Sequence, residues 1–262
     1  LPGGAQCRRP AGRACVESGC LSTARAARDG VRQAVLRRGL SAVEATFGCS
    51  PHIAAELRGL GIDAAPLPLP VRAAEARREP DAKPAFVYAG RLAPVKGVDD
   101  LVDAFSTVAE RHPAARLVIH GDGPDRDAAA RRVARRGLGG RVSMHPEMAL
   151  DWTRSLTAAT AMVAPSRYRE PLGLSVIESI LRGTPVIASR EGGHSESIEE
   201  GTSGLLVDNG DVAGLAEAMA SMCEPRPPLP AVVPAPARAR LAARHEPAAH
   251  AAALRACWTG AG

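Results

Sequence analysis

Phe86-Val87-Tyr88-Ala89-Gly90-Arg91-Leu92-Ala93-Pro94-Val95-Lys96-Gly97-Val98 is the stretch on which the fold turns. A short apolar run closed by glycine reads as a buried strand, because strands run four to eight residues and glycine punctuates them. From Val98 the period changes. Val98, Leu101, Val102, Phe105, Val108 and Ala109 recur three and four residues apart, which predicts a helix over 98–111 with one apolar face. Strand, loop and amphipathic helix in immediate succession form half of a βαβ unit.

The same alternation continues outward. Further strands are predicted at 116–120, 141–144, 161–164, 185–189 and 204–208, and helices at 125–136, 175–182, 194–200 and 212–222. Strands alternating with helices give a parallel sheet covered on both faces, here a Rossmann-like α/β domain of about six strands. Such sheets bind ligands beyond the carboxyl ends of their strands, so the loops there carry the candidate chemistry.

In the first of these loops Arg91 and Lys96 stand beside a helix N-terminus, where exposed amides and the helix dipole favour an anion. Ordinary surface charge is the competing reading. The order Gly-x-x-x-x-Gly-Lys-Ser/Thr is absent, which excludes a Walker loop. Gly121-Asp122-Gly123-Pro124 lacks the third glycine of a dinucleotide fingerprint, and Arg141 stands where an acid is wanted. A tight turn explains that motif. Arg131, Arg132, Arg135 and Arg136 read as a solvated helix face rather than a nucleic-acid stripe.

The loop after the fourth strand is the richest: Pro165-Ser166-Arg167-Tyr168-Arg169-Glu170-Pro171-Leu172-Gly173-Leu174-Ser175-Val176-Ile177-Glu178. Gly173 leaves the first-turn amides open to an anion. Glu170 before the helix and Glu178 within it repel phosphate and accept hydrogen bonds from hydroxyls, so sugar hydroxyls are their natural partners. No Gly-x-Ser-x-Gly elbow occurs, which argues against a serine hydrolase.

Composition narrows the partners. Aromatics are only 3%, too few for the stacking platforms that bind single-stranded nucleic acid. Hydrophobic residues at 45% and charged residues at 23% rule out wholesale disorder. A net charge of +5 fits anionic partners without naming one. No apolar run reaches the roughly 18 residues a membrane span needs, and the first residues do not follow the order of a signal peptide, so a soluble, cytoplasmic protein is expected.

Of the six cysteines, Cys7, Cys15 and Cys20 with Cys49 or His52 make a weak zinc hypothesis, since no Cys-x-x-Cys pair exists. Free thiols in a reducing compartment are the preferred reading. A helix is expected from Ser22 to about Leu40, a short strand across 43–50, and a helix opened by Ser50-Pro51 and stopped at Gly61. Pro66, Pro68 and Pro70, then the charged residues 72–83, mark a boundary. Fewer than eighty residues precede it, which is thin for a complete α/β domain.

Together Gly90-Arg91-Leu92, Lys96-Gly97, Pro165-Ser166, Glu170-Pro171-Leu172-Gly173, Glu178, Gly183-Thr184-Pro185-Val186-Ile187-Ala188-Ser189, Gly192-Gly193, Glu196 and Gly204-Leu205-Leu206-Val207 resemble the retaining glycosyltransferases of family four, of GT-B fold. The resemblance covers residues 86 to about 220 and is specific in its order. It implies transfer of a sugar from a nucleotide-diphosphate sugar to an acceptor hydroxyl with retention and without a metal or other cofactor. Arg91, Lys96 and the amides near Leu172, Gly173 and Leu174 would neutralise the diphosphate beside Gly90. Glu170 would hold the transferred sugar, Glu178 the ribose, and His145 would lie near the base. Arg91, Lys96 and Glu170 are thus the catalytic candidates, and the two cations with the helix terminus replace a metal.

The expected partners are the nucleotide-sugar donor and a carbohydrate, lipid-linked or small-molecule acceptor, with no nucleic acid and with room for a peripheral membrane contact. The expected organisation is a remnant of an acceptor-side domain and linker at 1–80, a nearly complete donor-binding domain at 81–224, and a Pro/Ala-rich tail at 225–262 with a final helix over 241–254. On this reading the chain, which starts at Leu1 rather than Met, lacks most of the first domain and the active-site His that domain supplies. The alternative function is a non-catalytic nucleotide-sugar-binding module.

Overall fold

The computed structural model describes residues 16–17, 22–40, 42–72, 79–146 and 151–259. The zinc hypothesis rests on Cys7, Cys15 and Cys20, which lie outside the described residues. Two compact units form: one runs Pro70–Pro247, and the other holds the described residues up to Leu69 with those from Ala248 on. The tail from 225 is therefore divided between them.

The large unit is a six-stranded, wholly parallel sheet of β3 (Ala85–Ala89), β4 (Arg116–His120), β5 (Val142–His145), β6 (Ala161–Ala164), β7 (Val186–Ser189) and β8 (Gly204–Val207) in the order β5-β4-β3-β6-β7-β8. Counted from β3, that is the 3-2-1-4-5-6 order of doubly wound sheets, with its switch point between β3 and β6. Each strand lies within a residue of its expected bounds. β6 and β7 are buried throughout, as strands covered on both faces must be.

Helix α3 (Val98–Arg111) fixes the core on one face. Every apolar residue of its 3.6-residue pattern is buried, and Phe105 meets Phe86 of β3 edge to face at 6.5 Å. α8 (Val212–Ser221) packs beside it through Leu215 and Met219. On the other face α6 (Leu174–Leu181) buries Val176, Ile177, Ile180 and Leu181, and α9 (Ala235–Arg244) covers it with Ala237 and Leu241. α4 (Arg126–Arg135) and the five-residue α7 (Gly193–Ser197) complete the expected set.

Three expectations are corrected. α5 (Asp151–Ala158) is an additional helix, anchored by buried Trp152 and Leu156. The single final helix over 241–254 is two, α9 and α10 (Pro247–Thr259), because Pro247 lacks an amide to continue the ladder and pushes Glu246 out of helical geometry. The arginine face of α4 is only partly solvated, since Arg132 grips Asp103 of α3 at 2.8 and 2.6 Å and Arg136 adds a 3.1 Å ion pair.

In the small unit α1 (Thr23–Leu40) is followed by a parallel pair, β1 (Phe47–Gly48) with β2 (Ala65–Pro66). The strand expected over 43–50 shrinks to two residues because Ser50 serves as a cap: its Oγ accepts from the Ile53 amide at 3.2 Å and opens α2 (Pro51–Gly59). A cavity of about 680 Å³ in this unit is lined by Phe47, Arg58, Ile62 and Pro66, among others, and by none of the candidate donor-binding residues.

Candidate donor-binding site

The loops at the carboxyl ends of the strands are tied by backbone contacts. Gly90 N donates to the His120 carbonyl at 3.0 Å and Gly121 N to the His145 carbonyl at 2.9 Å, extending the ladder past the strand ends. A side chain at Gly121 would strike the Gly90 carbonyl, and one at Gly123 the Leu92 carbonyl. The Gly-x-Gly of this loop is therefore spent on chain crossing, which accounts for its failure as a dinucleotide fingerprint. Leu92 is fully buried, and the Tyr88 hydroxyl donates to the Arg91 carbonyl at 2.9 Å, so the turn carrying Arg91 is anchored from below. Burial pushes the Tyr88 phenol well up, keeping it a neutral donor.

Residues 94–96 make one 3₁₀ turn, which ends on Gly97 in the left-handed region, φ 67°. Gly97 abuts the Pro165 carbonyl so closely that no side chain fits there. The loop after β6 thus lies against the loop after β3. Arg167 locks the junction: its amide donates to the Val95 carbonyl at 2.8 Å, and its guanidinium holds Asp100 at 2.6 and 2.5 Å and Asp99 at 2.8 Å in the first turn of α3.

This junction brings Lys96 onto Glu170. Lys96 Nζ donates to Glu170 Oε1 at 2.6 Å, Ser166 Oγ donates to the same oxygen at 2.5 Å, and the Tyr168 hydroxyl donates to Oε2 at 2.7 Å. Burial opposes the Glu170 charge, but these three donors outweigh it and hold its pKa below the ordinary carboxylate value. Burial likewise opposes the Lys96 charge and loses to Glu170, leaving the ammonium above its usual pKa. Both groups are charged at neutral pH.

Beyond Glu170 the chain enters α6 through Gly173, φ 82°, with no side-chain cap. Among the described residues no hydrogen bond is made by the amides of Leu172, Gly173 or Leu174. The entry is held from behind, where Gly193 N donates to the Glu170 carbonyl at 2.7 Å and Gly192 pairs with Glu170 as a parallel bridge. Open amides and a helix dipole favour an anion at this entrance, beside a lysine already neutralised by its glutamate.

The other candidates fall around it. Arg91 is exposed, and its guanidinium has no partner among the described residues. Glu178, in α6, is half-buried, its carboxylate has no hydrogen-bond partner among the described residues, and burial raises its pKa. His145 ends β5 at the surface and stacks on His120 at 5.1 Å with 23° between the rings. Asp125-Arg126-Asp127 sets two acids two residues apart at the start of α4, yet among the described residues no three His, Cys, Asp or Glu converge as metal ligands. Ser166, Arg167, Tyr168 and His194 carry no assigned role in the sequence reading.

A doubly wound sheet of this order is shared with solved structures of GT-B fold. Anabaena Alr3699/HepE in complex with UDP and glucose superposes with a TM-score of 0.75 at 21% identity, covering 87% of this chain and 67% of that one. A mutant of S. aureus TarM, in complex with fondaparinux, alpha-GlcNAc-glycerol and UDP, gives 0.73 at 18%, over 84% and 44%. The family model for Glycosyl transferases group 1 matches residues 72–240, and the chain belongs to that family. It is 38% identical over 173 residues to a glycogen synthase of Mycobacterium tuberculosis, covering 63% of this chain and 38% of that protein. It is 34% identical over 128 residues to an alpha-D-kanosaminyltransferase of Streptomyces kanamyceticus, covering 48% and 33%. The chain thus spans between a third and two fifths of these relatives.

Proposed function

We propose that the large unit binds a nucleotide-diphosphate sugar and takes part in retaining, metal-independent transfer of its sugar to an acceptor hydroxyl. The observation that carries this reading is the open cradle of amides at Leu172, Gly173 and Leu174 beside the Lys96–Glu170 pair. When the bond from the anomeric carbon to the phosphate oxygen breaks, negative charge grows on that oxygen. Donors already fixed against it strengthen in the transition state without reorganisation, each worth about 2.7–4 kcal/mol in comparable sites. Arg91 closes over the phosphates from solvent, and Glu178 accepts from the ribose hydroxyls. Glu170 already accepts from three donors, so its part is to orient Lys96, with the remaining acceptor position on Oε2 left to a sugar hydroxyl.

Calorimetry with UDP and GDP, with and without EDTA, tests the binding. Micromolar or tighter binding that EDTA does not alter is expected, and binding that appears only with a divalent cation refutes metal independence. Retention is read from the anomeric coupling of the first NMR-visible product with an α-linked donor. An inverted product overturns it, and binding with no transfer to any acceptor moves the reading to a binding module.

A further inference from the structure

Tyr168 lies two residues before Glu170, half-buried, and touches both members of the charged pair. Its hydroxyl donates to Glu170 Oε2 at 2.7 Å and sits 3.2 Å from Lys96 Nζ, which also lies over the ring, 5.0 Å from its centre. A phenol has one proton to give. Burial and the bond to Glu170 push its pKa above the usual value, so that proton stays on the oxygen at neutral pH. With the proton spent on Glu170, the oxygen meets Lys96 as an acceptor, and the ammonium donates.

Lys96 then has one proton left over. An ammonium carries three, on fixed tetrahedral directions. One goes to Glu170 Oε1 at 2.6 Å and one to Tyr168, and among the described residues no third acceptor closes on Nζ. The side chain is a quarter exposed, so the third N–H is open to an anion from solvent. Without the phenol oxygen, Lys96 would lose one of its two anchors and Glu170 Oε2 its donor. A buried carboxylate oxygen left unpaired is costly, and Lys96 has a proton to spare for it. The ammonium would turn inward.

We propose that Tyr168 is a positioning residue of the diphosphate site: by donating to Glu170 Oε2 and accepting from Lys96, its hydroxyl keeps the third N–H of Lys96 turned outward for a phosphate oxygen. This rests on the donor-site reading above and names the side chain that aims its lysine. Tyr168 itself touches no phosphate on this assignment, so its effect on binding runs through Lys96.

The exposed Lys83 is the chain's one other lysine, so two sets of lysine signals are expected from the full chain labelled with ¹³C-lysine, and Lys83→Arg assigns them. Inorganic pyrophosphate is the probe, because it presents the diphosphate without ribose or base. Saturation with it should move the Lys96 signals. Tyr168→Phe, which keeps the ring and removes the hydroxyl, should shift the Lys96 signals already in the free protein. By calorimetry it should bind pyrophosphate about three- to tenfold more weakly, the range of a typical hydrogen bond. Added to Lys96→Met, the same change should cost no further affinity, because the route through Lys96 is gone. Wild-type affinity in Tyr168→Phe, a full additional loss in the Lys96→Met background, or Lys96 signals unmoved when the wild-type chain binds pyrophosphate each overturns the assignment. If the wild-type chain binds neither pyrophosphate nor nucleoside diphosphate, the donor-site reading falls and this proposal falls with it. Should the double variant not fold, the free-protein spectrum of Tyr168→Phe decides, and Lys96 signals at their wild-type position overturn the proposal.

Discussion

Arg91 and Lys96 stand five positions apart in one loop, yet the structure gives them opposite energetic roles. Arg91 is exposed without a partner among the described residues, so Arg91→Ala should leave urea stability within about 0.5 kcal/mol of wild type while weakening nucleoside diphosphate binding about tenfold. Lys96 is a quarter exposed and Glu170 nearly buried, so Lys96→Met strands a carboxylate and should cost about 3 kcal/mol besides the lost binding. The pH dependence separates the two effects. With its folded pKa depressed by Lys96, Ser166 and Tyr168, Glu170 stabilises the wild type above about pH 4.3, and that stability is lost as pH falls through the folded value. In Lys96→Met burial prevails, the folded pKa rises above the unfolded one, and the variant should gain more stability than wild type between pH 7 and 5. Urea titrations across that range check the sign. Glu178, already raised by burial, behaves in the variant's sense at once. Glu178→Gln should therefore raise the urea midpoint of the free protein at pH 7 and weaken nucleoside diphosphate binding, with pyrophosphate binding unchanged.

At the level of elements, legibility followed sequence distance. The helix over 98–111 was readable to the residue because amphipathic period is local, and every apolar position in it is buried. The parallel sheet of about six strands could be expected once strands and helices alternated. What stayed hidden was made by contacts across the switch point: Lys96 reaches Tyr168 and Glu170 over 72 and 74 residues, and no local pattern announces that. Arg167 has no role legible in the sequence and is the bolt between the loop after β6 and the first turn of α3. α5 escaped because two anchoring side chains, Trp152 and Leu156, are too few to show a period. The bolt is testable by a double-mutant cycle. Arg167→Leu should destabilise by about 2–3 kcal/mol, and combined with Asp100→Asn it should show a coupling of at least about 1 kcal/mol. Additive losses would mean that Asp100 is held by the α3 N-terminus alone and that Arg167 positions nothing. Faster amide exchange confined to 94–100 and 165–171 in Arg167→Leu would mark the same junction from the backbone side.

For the molecule as a whole, the family is fixed by residues 72–240 while the chain spans at most two fifths of the relatives described, so the large unit is where a donor test belongs. Its cradle is built from backbone amides, one paired lysine and the exposed Arg91. On the proposed reading these groups bind phosphate without a divalent ion. Binding should then appear as a metal-blind shift in unfolding. A ligand present at a hundred times its dissociation constant stabilises the native state by about 2.7 kcal/mol. For a unit of this size each kcal/mol moves the midpoint by about 2–4 °C, so UDP or GDP at that excess should raise Tm by about 5–10 °C. EDTA should leave the rise intact, and millimolar magnesium should not enlarge it. Pyrophosphate at the same concentration as the nucleotide should give a smaller rise, because Glu178 and the base-side residues contribute nothing to its affinity. A nucleotide shift that EDTA abolishes would place the phosphate charge on a metal rather than on the amides of Leu172, Gly173 and Leu174. Equal shifts from pyrophosphate and nucleotide would remove Glu178 from the binding site.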